Sequence, residues 1–136
     1  MNKERIAKWH PDSALPRNLD TVSLTTDFES GVRLILVEPR ADGRAFRVEF
    51  EKPLAFRSAK ECYRLELVEK LTELPWPTFK VEDSVWVEWF HDQTHGAYRD
   101  WQIEHFVFLG EEVVEVLSHV QPRFTEIKRP SSFRWR

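Results

Sequence analysis

Between Trp101 and Leu109 the residues Trp101, Ile103, His105, Val107 and Leu109 alternate with Gln102, Glu104, Phe106 and Phe108. A strand over this stretch is apolar on both faces towards its end, and such a strand belongs in the centre of a sheet, since an open face would leave large apolar side chains in water. The preceding chain supplies candidate neighbours. From Thr21, the residues Val22, Leu24, Thr26 and Phe28 alternate with polar ones, and Glu29-Ser30-Gly31 turns the chain into Val32–Val37. An Asp42-Gly43 pair, favoured in hairpin turns, precedes Phe46, Val48 and Phe50, which alternate with charged residues. This predicts an antiparallel meander with one apolar face that another layer must cover. After Gly110, Val113–Leu117 reads as a further hairpin partner, and Pro122 closes the ordered pattern.

Residues 58–74 carry two signals. Ser58-Ala59-Lys60-Glu61 matches a capping box, and Tyr63, Leu67, Leu71 and Leu74 fall at helical spacing, yet Tyr63, Leu65 and Leu67 also alternate as in a strand. Helix is preferred, and Leu74-Pro75-Trp76-Pro77 ends it, with Thr78–Val81 as a short strand. Asp83 or Ser84 then caps a short helix with Trp86, Trp89, Phe90 and Gln93 on one side and Glu88 and Asp92 on another, ended by Gly96. The expected fold is α+β, an antiparallel sheet of five or six strands with one or two helices on one face. Residues 1–20 are expected to form an irregular arm, 21–122 the domain and 123–136 a basic tail.

Composition fits one folded unit. The chain has 136 residues, 41% hydrophobic and 32% charged, a balance that excludes disorder, and no apolar run is long enough for a membrane span. The first residues have charges without a following apolar stretch, so no secretory signal is expected, and the single Cys62 cannot form an internal disulfide. A cytoplasmic location follows as the expectation.

Charge is unevenly laid out. Residues 82–122 hold Glu82, Asp83, Glu88, Asp92, Asp100, Glu104, Glu111, Glu112 and Glu115 against Arg99 alone, nine minus one, a net −8. Such a surface repels phosphates and attracts a basic partner, which argues against nucleic acid for the body of the domain. The tail interleaves Arg129, Arg134 and Arg136 with Phe133 and Trp135, a pattern able to stack on single-stranded bases but too short to carry that function.

Catalytic motifs are sparse. His91-Asp92-Gln93-Thr94-His95 places two histidines at i and i+4, a spacing that can share a metal with His105 or His119, but Asp stands where a zinc hydrolase needs Glu, and Gly96 stops the helix at once. A surface histidine pair is the preferred reading. His105, within an apolar strand, reads as a hydrogen-bonded core histidine. No serine lies in a nucleophile-elbow context, and four scattered glycines build no phosphate loop. No catalytic residue, metal or cofactor is therefore assigned. The alternative function is a small metal-dependent or acid/base hydrolase using the His91, His95 and His105 region.

Trp86 and Trp89, three apart among Glu82, Asp83, Glu88 and Asp92, form the candidate partner-binding site, because aromatics ringed by carboxylates suit a cationic partner. Finally, Phe79-Lys80-Val81-Glu82-Asp83-Ser84, Trp89-Phe90, Glu104-His105-Phe106, Val116-Leu117-Ser118 and Pro122 together resemble a pattern in small uncharacterised bacterial proteins, over about a third of the chain. Such proteins are similar in size and solubility to the immunity proteins encoded beside polymorphic toxins. The resemblance is to a group without an established activity and carries over no catalytic residue. Its motif residues are aromatic and aliphatic, the signature of a fold. The net −8 segment and the absence of assembled catalytic motifs lead to the expectation of a non-enzymatic protein-binding domain whose acidic region occupies a basic surface, as in an immunity protein neutralising a basic toxin.

Overall fold

The computed structural model describes residues 3–12, 14–73 and 76–131. Among them the chain forms an α+β structure of two antiparallel sheets with helices on one side. The strands are β1 (Arg5–Lys8), β2 (Asp20–Asp27), β3 (Gly31–Val37), β4 (Ala45–Phe50), β5 (Ala55–Lys60), β6 (Thr78–Glu82), β7 (Glu104–Phe108), β8 (Glu112–Ser118) and β9 (Arg123–Ile127). The helices are α1 (Leu65–Thr72), entered through a 3-10 turn at Glu61–Tyr63, and α2 (Val85–Gln93). One sheet has the order β1-β6-β7-β8-β5 and the other β2-β3-β4-β9.

The centrality expected of β7 follows from its two rows. Phe106 and Phe108 point to one face and join Val114 and Val116 of β8 against Val32, Leu34, Leu36, Phe46, Val48 and Phe50 of the smaller sheet, forming the larger core. Val107 points to the opposite face, where Phe79, Val81 and Val113 meet Leu71 of α1. β7 is thus covered by a sheet on one side and by the helical layer on the other, and its phenylalanines are fully buried.

Several boundaries differ from the sequence reading. Strand pairing is divided between two sheets, four strands in one and five in the other, so the expected single sheet of five or six becomes a layered pair. The N-terminal arm is not irregular throughout: Arg5–Lys8 pairs with β6 in the register Ile6↔Val81. Pro122 does not end the order either, because Arg123–Ile127 pairs with β4 as Val48↔Phe124. Both strands lie outside the expected 21–122 limits. They escaped detection because each is short and at a sheet edge, where half the side chains are polar. Of the two signals in residues 58–74 the helix holds, from Leu65, whereas Tyr63 lies in the 3-10 turn and Leu65 and Leu67 in α1 rather than in a strand. Ser58–Lys60 belong to β5, so Ser58-Ala59-Lys60-Glu61 is no capping box, and α1 is entered at Arg64 without a side-chain cap. The strand expected from Trp101 begins only at Glu104. Leu74 and Pro75, and the tail residues Phe133, Arg134, Trp135 and Arg136, lie outside the described residues.

Trp9 closes one end of the core. Its ring lies 5.1 Å from Phe106, 5.9 Å from Phe108 and 6.3 Å from Phe124, all edge-on, so it touches strands of both sheets. Its carbonyl accepts hydrogen bonds from Trp76 Nε1 at 2.7 Å and Thr78 Oγ1 at 2.9 Å.

The sheets also meet through backbone. The Thr21 N–H donates to the Leu109 carbonyl at 2.8 Å, and Thr21 forms a parallel bridge with Gly110. A β-carbon on Gly110 would stand 2.4 Å from the Thr21 carbonyl oxygen. Gly110→Ala is expected to cost about 1–3 kcal/mol as an overpacked contact with no flexible side chain to yield. Urea unfolding checks this against Gly96→Ala, where the nearest atom is Arg99 Cγ at 3.5 Å and only the positive φ opposes the substitution. Equal losses would show that the seam is pliable.

Candidate functional site

α2 starts where β6 ends. Asp83 takes φ 53°, turning the chain out of the strand, and Ser84 caps the helix by accepting a hydrogen bond from the Val87 N–H at 3.2 Å. The Val85 N–H is met by Glu4 Oε2 from beside β1 at 2.8 Å, which places a negative charge at the positive end of the helix.

The helix then divides into two faces. Trp86, Val87, Phe90 and His91 turn inward or sit half-buried, while Val85, Glu88, Trp89 and Asp92 share the outward face at i, i+3, i+4 and i+7. Trp86 and Trp89 therefore part company: Trp86 docks on the sheet, and Trp89 stays 49% exposed. A run of ring contacts continues from the inner edge of α2, Phe90 to Tyr98 at 5.9 Å, Tyr98 to Trp101 at 4.5 Å, and Trp101 stacked on His119 at 4.5 Å. Tyr98 and Trp101 are each 36% exposed.

The carboxylates of this face are all exposed. Glu82 and Asp83 share Arg5 at 3.3 and 3.4 Å, and Glu88 and Asp92 share Arg99 at 3.0 and 3.6 Å. Solvent-exposed pairs of this kind contribute little and exchange readily for other partners. Four carboxylates against two guanidiniums leave the face negative.

Beneath α2 lies a buried polar chain that no sequence motif announced. Glu115 of β8 is 1% exposed. Arg57 of β5 grips it with Nε at 2.9 Å and Nη2 at 3.0 Å, Arg64 Nη1 donates to the same carboxylate, and His105 Nε2 of β7 lies 2.9 Å from Oε1. The opposite ring nitrogen of His105, Nδ1, lies 2.7 Å from Ser84 Oγ. Trp86 covers the assembly, edge-on to His105 at 5.1 Å and stacked over the Arg57 guanidinium at 4.2 Å. Burial pushes the Glu115 carboxyl up, but hydrogen bonds from His105 and Arg57, the Arg57 charge and the Arg64 hydrogen bond outweigh it and hold the group down at about 2.

The protonation pattern follows. An ionised carboxylate only accepts, so Nε2 of His105 carries a proton towards Glu115. In the neutral ring Nδ1 is then the acceptor and Ser84 Oγ–H the donor, while the Ser84 oxygen accepts from Val87. His105 is thus a hydrogen-bonded core histidine, as its apolar strand suggested. The signal for Glu115 was a lone charge inside Val113-Val114-Glu115-Val116-Leu117. Among its partners His105 gave the signal already described, and Arg57 and Arg64, far off in sequence, gave none.

The three histidines of the alternative hydrolase reading do not form one cluster. His91 is buried, correcting its assignment to a surface pair, and its Nδ1 has no hydrogen-bond partner among the described residues. His95 is exposed at the end of the helix with φ 53°. Among the described residues no group of three or more His, Cys, Asp or Glu is placed to hold a metal ion. No helix there is long and apolar enough to cross a membrane.

Because the folded Glu115 carboxyl titrates near 2 and an unfolded glutamate near 4.5, its contribution to stability is complete above pH 4.5 and is lost as pH falls towards 2. That contribution is about 3 kcal/mol. Glu115→Gln is expected to cost about 3–5 kcal/mol at neutral pH, leaving buried donors without their anion, and the gap to wild type should narrow in acid. Denaturant unfolding across that range measures both; a gap independent of pH would contradict the assignment.

Comparison with protein-family models, with curated proteins and with solved structures finds no match to this chain.

Proposed function

We propose that the chain is a protein-binding domain whose outward α2 face engages a basic partner. The observation that carries this reading is the exposure of Trp89 on the same helical face as Glu88 and Asp92, with Val85 59% exposed beside them. A tryptophan left half in water after the core is complete is energetically costly surface, and tryptophan is the residue type most enriched where interfaces concentrate their binding energy. The carboxylates set the sign of the partner. A lysine or arginine from it would meet both the Trp89 ring and the charges of Glu88 and Asp92, and Arg5 and Arg99 would be displaced or shared.

Glu82 and Asp83 extend the same negative rim towards β1. Trp86 supports the face from behind through its contacts with His105 and Arg57, and contributes by holding α2 in place. The resemblance to immunity proteins beside polymorphic toxins is in keeping with this reading: a basic toxin would be the partner and its occlusion the function.

Capture of partners from the host, with the wild-type chain and a Glu88→Lys/Asp92→Lys variant side by side at low and high salt, tests the proposal. One stoichiometric basic protein should be retained by wild type, released by salt and missed by the variant. Once it is in hand, Trp89→Ala should weaken binding by about 2 kcal/mol or more. Arg99→Gln should strengthen it by releasing two carboxylates. Equal retention by wild type and the charge-reversed variant would overturn the assignment of this face.

A further inference from the structure

We infer that Ser84 is a nucleophile, able to accept an acyl group from a carboxylic ester bound in the cavity it lines. This activity goes beyond the partner-binding reading, although the cavity reaches the outward face of α2 at Val85 and Glu88. The cavity has a volume of about 890 Å³, and both Ser84 and His105 border it, its wall mixing apolar residues such as Trp9 and Ile103 with charged ones such as Lys80 and Glu104.

Three features place the required groups together. Ser84 Oγ lies 2.7 Å from His105 Nδ1, within range for proton transfer in either direction. The imidazole's other nitrogen is 2.9 Å from a carboxylate that Arg57 and Arg64 hold ionised and fixed, so the ring has one tautomer, with its free lone pair towards the hydroxyl. Ser84 also stands at the N-cap of the nine-residue helix α2, where the Val87 N–H donates to its Oγ at 3.2 Å and fixes the hydroxyl beside the ring. A cap alone requires an acceptor and no histidine behind it. The order serine, imidazole, carboxylate is that of an activated nucleophile, with the two ring nitrogens used in exchanged positions relative to the familiar serine proteases.

The chemistry closes on itself with water as the second reactant. Oγ bonds to the acyl carbon as its proton passes to Nδ1, and the carbonyl electrons move onto oxygen. The ester C–O bond then breaks, and the departing alkoxide takes the proton from Nδ1, leaving acyl-Ser84. Water repeats the attack, giving its proton to Nδ1, and the Oγ–C bond breaks as Oγ recovers that proton. The net change is ester plus water to carboxylic acid plus alcohol. Glu115 acts through His105 as a positioning residue.

The test uses the full chain and a fluorophosphonate probe, with the modified residue located by peptide mass spectrometry. Ser84 is expected to be labelled at least about 100-fold faster than the exposed Ser58 and Ser131, the factor a positioned base supplies. His105→Gln should remove that advantage while circular dichroism shows the fold kept. The comparison of serines within the wild-type chain decides the matter even if the variant fails to fold. Labelling of Ser84 no faster than of Ser58, or equally fast without His105, would overturn the proposal and leave the chain of hydrogen bonds as an anchor for α2.

Discussion

The Glu115 carboxylate, sunk in the middle of β8, organises the helical side of the molecule. Transferring an ion of that size out of water costs several kcal/mol even after relaxation, so the fold holds only if the charge is fully met. It is met by four hydrogen bonds, two from Arg57, one from Arg64 and one from His105. Those donors come from the edge strand β5, from the entry to α1 and from the central strand β7. One buried anion thereby fixes the position of an edge strand, the start of one helix and, through His105 and Ser84, the start of the other. Neighbouring apolar contacts fill the volume, but they have no directional preference of this kind.

The two roles proposed for α2 rest on this arrangement. Its inner side is held by Ser84 on His105 and by Trp86 on Arg57, so the outer side is presented on a helix whose placement is set by buried polar geometry. A surface held in this way loses little conformational freedom on meeting a partner, which favours affinity at a given contact area. The cavity bordered by Ser84 and His105 reaches that outer side, since Glu82, Asp83, Val85 and Glu88 also line it.

Sequence periodicity revealed what depends on local pattern. The β2–β4 meander, the burial of β7 on both faces and the helix after Ser84 all come from residues close together in the chain. Less visible were elements defined by distant partners: β1 and β9 are short edge strands whose pairing mates lie on other segments, and alternation over four or five residues is indistinguishable from chance. The candidate acidic residues proved exposed, but the two tryptophans, equivalent by spacing, separated because α2 meets the sheet along only one side. The polar chain was hidden for a further reason. A glutamate in an apolar strand indicates that a partner must exist, while its identity depends on how β5, β7 and β8 are ordered across the sheet.

That ordering also bears on how the protein comes to be folded as it leaves the ribosome. β2, β3 and β4 pair with immediate neighbours and can form early, whereas Arg5–Lys8 pairs with Thr78–Glu82 and Ala55–Lys60 with Glu112–Ser118. The nascent chain must therefore hold two prospective edge strands, β1 until β6 has been made and β5, with the Arg57 guanidinium, until β8 has been made. β9 comes later still, laying Phe124 against Phe46 and Trp9. Trp9 is thus fully packed only once Phe124 has been made, and vectorial synthesis leaves the apolar row of the early meander uncovered meanwhile, an interval in which chaperone capture competes with assembly.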